Sequence, residues 1–297
     1  MRIVLVLVGA AVVYQVAVIV TVTLGWRNRR APHRRDPGSL GLWFETVRIP
    51  TAAARTLHGW WIPSGAVAAP CLILVHGWGR NAERMLPYVE MLHPAGYDLL
   101  AFDARHHGSS DGDGYASMPK FSEDIRAAVD YVAGRRGDDT RVGVLGLSIG
   151  GSAAIHAAAH DPRIVAVATV GAFSDASDAR ATVGPYWWVL APGLPLAFWL
   201  FERRIGLRFR DISPENLIAG ARARFLLIHG AEDTVIPVAH AQRLAAAAGA
   251  SARAWIIPGR GHSDPHLESG MVTTLAAFFG ETLGARPTYT AAMRRKQ

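Results

Sequence analysis

Apolar residues recur along this chain at different spacings, and each spacing predicts a different element. From Ile3 to Leu24 the run is unbroken, 22 residues without a charge. A helix of that length spans roughly 30 Å, the hydrocarbon thickness of a bilayer. From Trp43 to Pro50 and from Thr56 to Ile62 apolar and polar residues alternate, as in paired antiparallel strands. Short continuous apolar runs then take over: Cys71–Val75, Tyr97–Phe102, Arg141–Leu145, Ile164–Val170, Phe225–His229 and Arg253–Ile257. Helical segments separate them: Ala82–His93 with Asn81 as its cap, Phe121–Val132, the alanine-rich run from Ser152, Val238–Ala248, and a last helix within Leu267–Leu283. In Phe121–Val132 the residues Phe121, Ile125, Ala128 and Val132 share one face. Repeated strand–helix units after an antiparallel start predict an α/β fold, a mostly parallel twisted sheet with helices on both faces. Residues 172–222 break that rhythm.

Charge and composition sharpen the ends of the chain more than its middle. The net charge is +7, but six arginines and one acid lie in the first 36 residues, and four basic residues and no acid follow from Arg286. The body between them is near neutral, so nucleic-acid binding is not expected. The apolar run is long for a cleaved signal and ends without a small-x-small site, which favours a retained anchor over residues 1–26. Arg27, Arg29, Arg30, Arg34 and Arg35 follow it, against Arg2 in front, so the positive-inside rule puts the body in the cytoplasm of a single-pass membrane protein. Residues 27–42, with two prolines and two glycines between Pro32 and Gly41, read as a basic linker. Residues 43–285 form the α/β body and 286–297 a basic tail. With Cys71 the single cysteine, no disulfide and no metal-binding cluster is expected, and no H-E-x-x-H motif occurs among the twelve histidines.

Candidate chemistry begins at Gly146-Leu147-Ser148-Ile149-Gly150-Gly151, which reads as strand, sharp turn, helix, with a serine at the apex. A Cβ at Gly146 or Gly150 would collide as strand and helix close on each other, and the apex backbone is held in strain so that its hydroxyl stands clear. Strand Phe225–His229 runs on into Asp233, and the last strand into the glycine-flanked His262. In a parallel sheet both loops gather on the face that carries Ser148. Asp175 and Asp178, and more weakly Glu232, are rival acids. His266 is a rival histidine, read as opening the last helix.

At these residues the chain resembles the α/β-hydrolase superfamily, over roughly residues 43–283. The resemblance rests on the turn at Ser148, on His76-Gly77-x-Gly79, on Asp103-x-Arg105-x-His107-Gly108-x-Ser110, and on the Asp233 and His262 loops. Within the superfamily the chain is most similar to the branch of monoglyceride lipases and serine aminopeptidases. His106 departs from it, standing where that branch usually has glycine; a local change in that loop is expected, with the triad intact. The resemblance implies a catalytic triad: Ser148 as nucleophile, His262 as general base and then acid, and Asp233 holding the imidazole. It implies an oxyanion hole built from the backbone N–H groups of Trp78 and Ile149. Asp103, Arg105 and His107 are read as bracing loops beneath the site, with a direct substrate role as the alternative, and the Trp78 indole either lines the acyl pocket or packs.

Ala181–Phe201 carries no charge and is long enough to be a second span, but a span there would put Ser148 on one side of the bilayer and Asp233 and His262 on the other. It is better read as a cap inserted after the sixth strand, where this superfamily often carries one. A cap this apolar suits a hydrophobic ester or lipid, which makes the chain a membrane-anchored serine hydrolase of carboxylic esters without a cofactor. Two alternatives remain at this stage. One is an amide hydrolase or peptidase using Glu202, Asp175 or Asp178 to bind a substrate amine; the other is a non-catalytic binding protein on the same fold. Oligomeric state is not legible.

Overall fold

The computed structural model describes residues 1–25, 28, 30–137, 139–178 and 187–284. The basic tail, Arg27, Arg29 and the cap residues 181–186 lie outside the described residues. Eight strands form one sheet: β1 Glu45–Thr51, β2 Arg55–Ile62, β3 Cys71–Val75, β4 Asp98–Phe102, β5 Val142–Leu147, β6 Ile164–Val170, β7 Arg224–Gly230 and β8 Ala252–Ile257. Their order is β1-β2-β4-β3-β5-β6-β7-β8. β2 runs antiparallel to both β1 and β4, and every other pairing is parallel. Every residue of β3, β4 and β5 is buried, which is why those strands read as continuous apolar runs.

Helices cover both faces. α1 is Arg2–Gly25, α2 Leu86–Leu92, α3 Met118–Arg136 and α4 Ile149–His160. One core packs α3 and α4 against the sheet. The other packs α2 and the last helix, Met271–Leu283, against the opposite face. The expected Ala82–His93 helix is divided: a 3-10 turn over Ala82–Met85 precedes α2. Asn81 caps that turn, its side chain accepting the Glu83 N–H at 3.1 Å. Pro87, lacking an N–H, cannot continue a ladder from the turn and instead sits in the first turn of α2.

Between β6 and β7 the chain leaves the sheet as a cap. Its described helices are α5 Trp187–Leu190, α6 Leu194–Ile205, α7 Phe209–Ile212 and α8 Pro214–Leu217. The uncharged stretch is thus broken around Pro192 and is no single spanning helix. The body closes with α9 Ala239–Ala248 and α10 Met271–Leu283.

Two features depart from the sequence reading. First, the stretch read as a linker is strapped to the body over its described part. His33 Nε2 lies 3.0 Å from Asp103 Oδ1. The Asn81 side chain donates to the Ala31 carbonyl at 2.9 Å, and Glu83 accepts the Arg34 N–H at 2.7 Å. Leu40 and Leu42 pack on the core that α2 and α10 cover. These side chains find partners only in loops far along the sequence, so their composition reads as linker. Second, α1 is long and apolar enough to cross a membrane, yet one stripe of it rests on the cap. Val18 and Val22 are buried with Leu194 and Ala197. The Tyr14 hydroxyl donates to the Val189 carbonyl at 2.7 Å, and the Gln15 side chain donates to the Gly193 carbonyl at 2.9 Å.

Candidate active site

Ser148 stands between β5 and α4 with φ 52° and ψ −122°, a conformation that side-chain-bearing residues rarely adopt. Two glycines make the turn possible. A Cβ on Gly146 would lie 2.4 Å from the Gly150 carbonyl oxygen, and one on Gly150 2.4 Å from that of His76. The Ser148 N–H donates to the Val170 carbonyl at 2.8 Å, fixing the apex to the end of β6.

His262 follows β8 and Asp233 follows β7. Their side chains meet, with His262 Nδ1 2.7 Å from Asp233 Oδ2. The other carboxylate oxygen accepts the backbone N–H groups of Val235, at 2.9 Å, and Ile236, at 2.7 Å. His229 Nε2 lies 3.3 Å from Oδ2. Burial alone would raise the Asp233 pKa, but the hydrogen bonds from His229 and His262 outweigh it and hold the carboxyl well below the ordinary carboxylate range. Of the rival acids, Asp175 accepts from Ser177 and Ser213, and Asp178 faces His240 at 3.4 Å. The carboxylate beside His262 is therefore that of Asp233. His266 lies in a 3-10 turn over Pro265–Leu267, ahead of α10 rather than at its start.

The loop after β3 is pinned from below by two histidines. His76 Nδ1–H donates to the Gly77 carbonyl at 2.7 Å, while its Nε2 accepts the Ala104 N–H at 3.0 Å. His107 Nδ1–H donates to the Arg105 carbonyl at 3.0 Å, while its Nε2 accepts the Gly79 N–H at 3.2 Å. Each ring accepts at one nitrogen and so is neutral. Burial lowers both pKa values, that of His107 to about 3. Between the pinned Gly77 and Gly79, the Trp78 N–H has no acceptor among the described residues, and neither has the Ile149 N–H at the start of α4. Asp103 accepts the Ala82 and Ser109 N–H groups, and buried Arg105 binds Asp124 at 2.7 Å and Asp113 at 3.1 Å. His106 keeps the backbone shape that its glycine-like position demands, at φ 66°. Its ring is held 2.9 Å from Asp113 Oδ1, which offsets the strain.

Ser148, Ile149, Trp78 and His262 all line one cavity of about 390 Å³. Val170, Phe173 and Leu147 form its floor, and Ile205, Phe209 and Ile212 of the cap its ceiling. The sequence reading missed two other residues of this lining, Arg80 and Arg84, because nothing in their spacing marks them. His33, His58 and Asp103 bring ligand-type atoms within 4.8 Å of one another, and His33 and Asp103 already form a hydrogen-bonded pair. These three come from distant segments, so no local spacing announces them. His156 and His160, four apart on α4, stack at 4.4 Å between ring centres; neither lines the cavity.

The sequence model of the family described as serine aminopeptidase, S33, matches residues 67–204. An esterase from Pyrococcus furiosus superposes with a TM-score of 0.69 at 22% identity, covering 87% of this chain and 100% of that one. The chain has the α/β-hydrolase fold. A puromycin-hydrolysing peptidase of Mycobacterium tuberculosis shares the hydrolase fold at a TM-score of 0.62 and 19% identity, over 83% of this chain and 40% of that one. An uncharacterised protein of M. tuberculosis is 28% identical over 241 residues, 80% of this chain and 79% of that one.

Proposed function

We propose that this hydrolase is a serine esterase, cleaving carboxylic esters with hydrophobic acyl groups through Ser148, His262 and Asp233. The observation that carries the reading is the opening of Ser148 and the Asp233-paired His262 on one cavity under an apolar lid. His262 takes the Ser148 proton as Oγ attacks the ester carbonyl. The Asp233 carboxylate keeps Nδ1 protonated, leaving Nε2 to act as the base, and stabilises the imidazolium that forms. The N–H groups of Trp78 and Ile149 receive the oxyanion. His262 returns the proton to the leaving alcohol, and water, activated the same way, then releases the acid.

The chemistry of the cavity speaks against the peptidase alternative. Glu202 accepts the Phe209 N–H at 2.7 Å, Asp175 is bound by serines, and no carboxylate lines the cavity among the described residues. A substrate ammonium would find no partner there. Anchoring by α1 with the body on the cytoplasmic side completes the proposal, supported by the arginines that follow the helix. A reporter fused after Gln297 tests that topology, since an extracytoplasmic signal refutes it.

Fluorophosphonate should label the full-length protein covalently, and Ser148→Ala should abolish labelling and ester turnover while the chain stays folded. His262→Ala should lose about as much, because the pair acts as a unit, and Asp233→Asn somewhat less. Full esterase activity in folded Ser148→Ala, or turnover of aminoacyl amides in preference to aryl esters, overturns the reading.

A further inference from the structure

The cavity has a charge asymmetry that the apolar lid hides. Among the described residues, the cationic side chains that line it are those of Arg80 and Arg84. Both line the cavity that holds Ser148 and His262. Arg80 lies two residues beyond Trp78, whose N–H faces the oxyanion position. The Arg84 guanidinium donates to the carbonyl of Ser263, the residue after His262. Neither guanidinium has a carboxylate within ion-pair distance among the described residues. The acid between them in sequence, Glu83, is already engaged, accepting the Arg34 N–H at 2.7 Å and the Arg35 side chain at 3.4 Å.

Where arginines of this protein brace its loops, acids match them. Arg105 has three carboxylate partners, and Arg163 has Asp161 and Asp130. Two guanidinium groups left unmatched at the mouth of an otherwise apolar cavity make a binding site for an anion, because a planar fork of donors suits the oxygens of a phosphate or carboxylate. We infer that the substrate of this hydrolase is an ester carrying an anionic group, phosphate or carboxylate, bound by Arg80 and Arg84, with the hydrophobic acyl chain under Ile205, Phe209 and Ile212. The inference rests on the esterase reading and narrows it to one charge class. Such an anion has two sources: the headgroup of an amphiphile within the membrane, or a small soluble ester.

The test uses the full-length protein in detergent. Three soluble esters differ only in the charge of the alcohol: para-carboxyphenyl, para-carbamoylphenyl and para-trimethylammoniophenyl hexanoate. The ratio of kcat/KM for the anionic ester to that for the neutral one should fall about tenfold or more when both arginines become glutamine, since hydrogen bonds to charged groups are worth that much. Arg80→Lys with Arg84→Lys should restore much of it. Comparing the ratio between proteins cancels the intrinsic reactivity of each leaving group. A monoacylglycerol phosphate against the matching monoacylglycerol, in phosphatidylcholine vesicles, gives the amphiphile arm. Preference for the anion in vesicles alone assigns the membrane source, and preference in solution the soluble one.

A binding arm keeps this separate from catalysis. Hexyl phosphate titrated into Ser148→Ala protein should bind about tenfold or more tightly than hexanol, and the added arginine substitutions should remove that difference. If esters are hydrolysed with no charge preference, or if the glutamine substitutions leave the ratio and the hexyl phosphate affinity unchanged, the anion site is wrong and the esterase reading stands. If fluorophosphonate leaves Ser148 untouched, the esterase reading fails, and the titration still decides whether the arginines hold an anion.

Discussion

Gly171 follows β6 and stands directly behind the His262–Asp233 pair, which makes Gly171→Ala a sharp test of the site's geometry. Its φ is +66°, and an added Cβ would lie 3.1 Å from both Cε1 and Nδ1 of His262 and 3.5 Å from Asp233 Oδ2. Two separate penalties follow. Left-handed backbone in an L-residue costs about 1–2 kcal/mol. The close contact adds a second effect, because at 3.1 Å the imidazole must yield by a few tenths of an ångström. A misplacement of about 1 Å in a catalytic group costs roughly a hundredfold in rate, so a shift of this size should cost about tenfold in kcat. The contribution of strain alone is isolated by Gly284→Ala. That glycine has φ +72° and, among the described residues, nothing within 4 Å of the added Cβ. Each variant should lower the unfolding midpoint by about 2–4 °C per kcal/mol. Only Gly171→Ala should also slow ester turnover and fluorophosphonate labelling. Full activity in Gly171→Ala, or an equal loss in both variants, would refute the placement of Gly171 behind His262.

Stability should fall as pH drops below about 6.5, since burial holds His107 neutral down to about 3 and His156 down to about 4, while the unfolded chain binds those protons. The sign is fixed by the lowered values: protons favour the unfolded state, by about 1.4 kcal/mol per pH unit for each such histidine. Denaturant titrations of wild type and His107→Asn at neutral and acidic pH check this, and an unchanged slope in the variant counts against a neutral His107. Tyr14→Phe with Gln15→Leu should loosen the cap from α1, each lost bond being worth about 0.5–1.5 kcal/mol; faster amide exchange over 187–205 is the readout. Trp188 and Trp199 are 65% and 48% exposed on that same cap. Their replacement by serine should lower long-chain ester turnover in vesicles more than short-ester turnover, and equal losses would mark them as packing residues.

The strands were legible because their signal is local. β3 and β6 begin and end where the apolar runs predict, and the other strands lie within about two residues of the expected bounds. The turn at Ser148 was legible for a similar reason. Its glycines are demanded by backbone collisions within a few residues, and their spacing is written in the chain. Asp233 and His262 followed from topology, since loops at the same ends of parallel strands share a face. What the sequence could not carry was any partnership between distant loops. The strap from His33 to Asp103 looked like a linker because its partner is 70 residues away. Tyr14 and Gln15 of α1 bond to the cap 175 and 178 residues on. Pairing decides the meaning of a charge in the same way. Arg105 and Arg84 are both arginines near the site, yet folding surrounds one with carboxylates and leaves the other with a carbonyl. Periodicity and turn chemistry act over a few residues and survive in the string of letters, whereas desolvation and charge pairing depend on which segments the sheet order brings together.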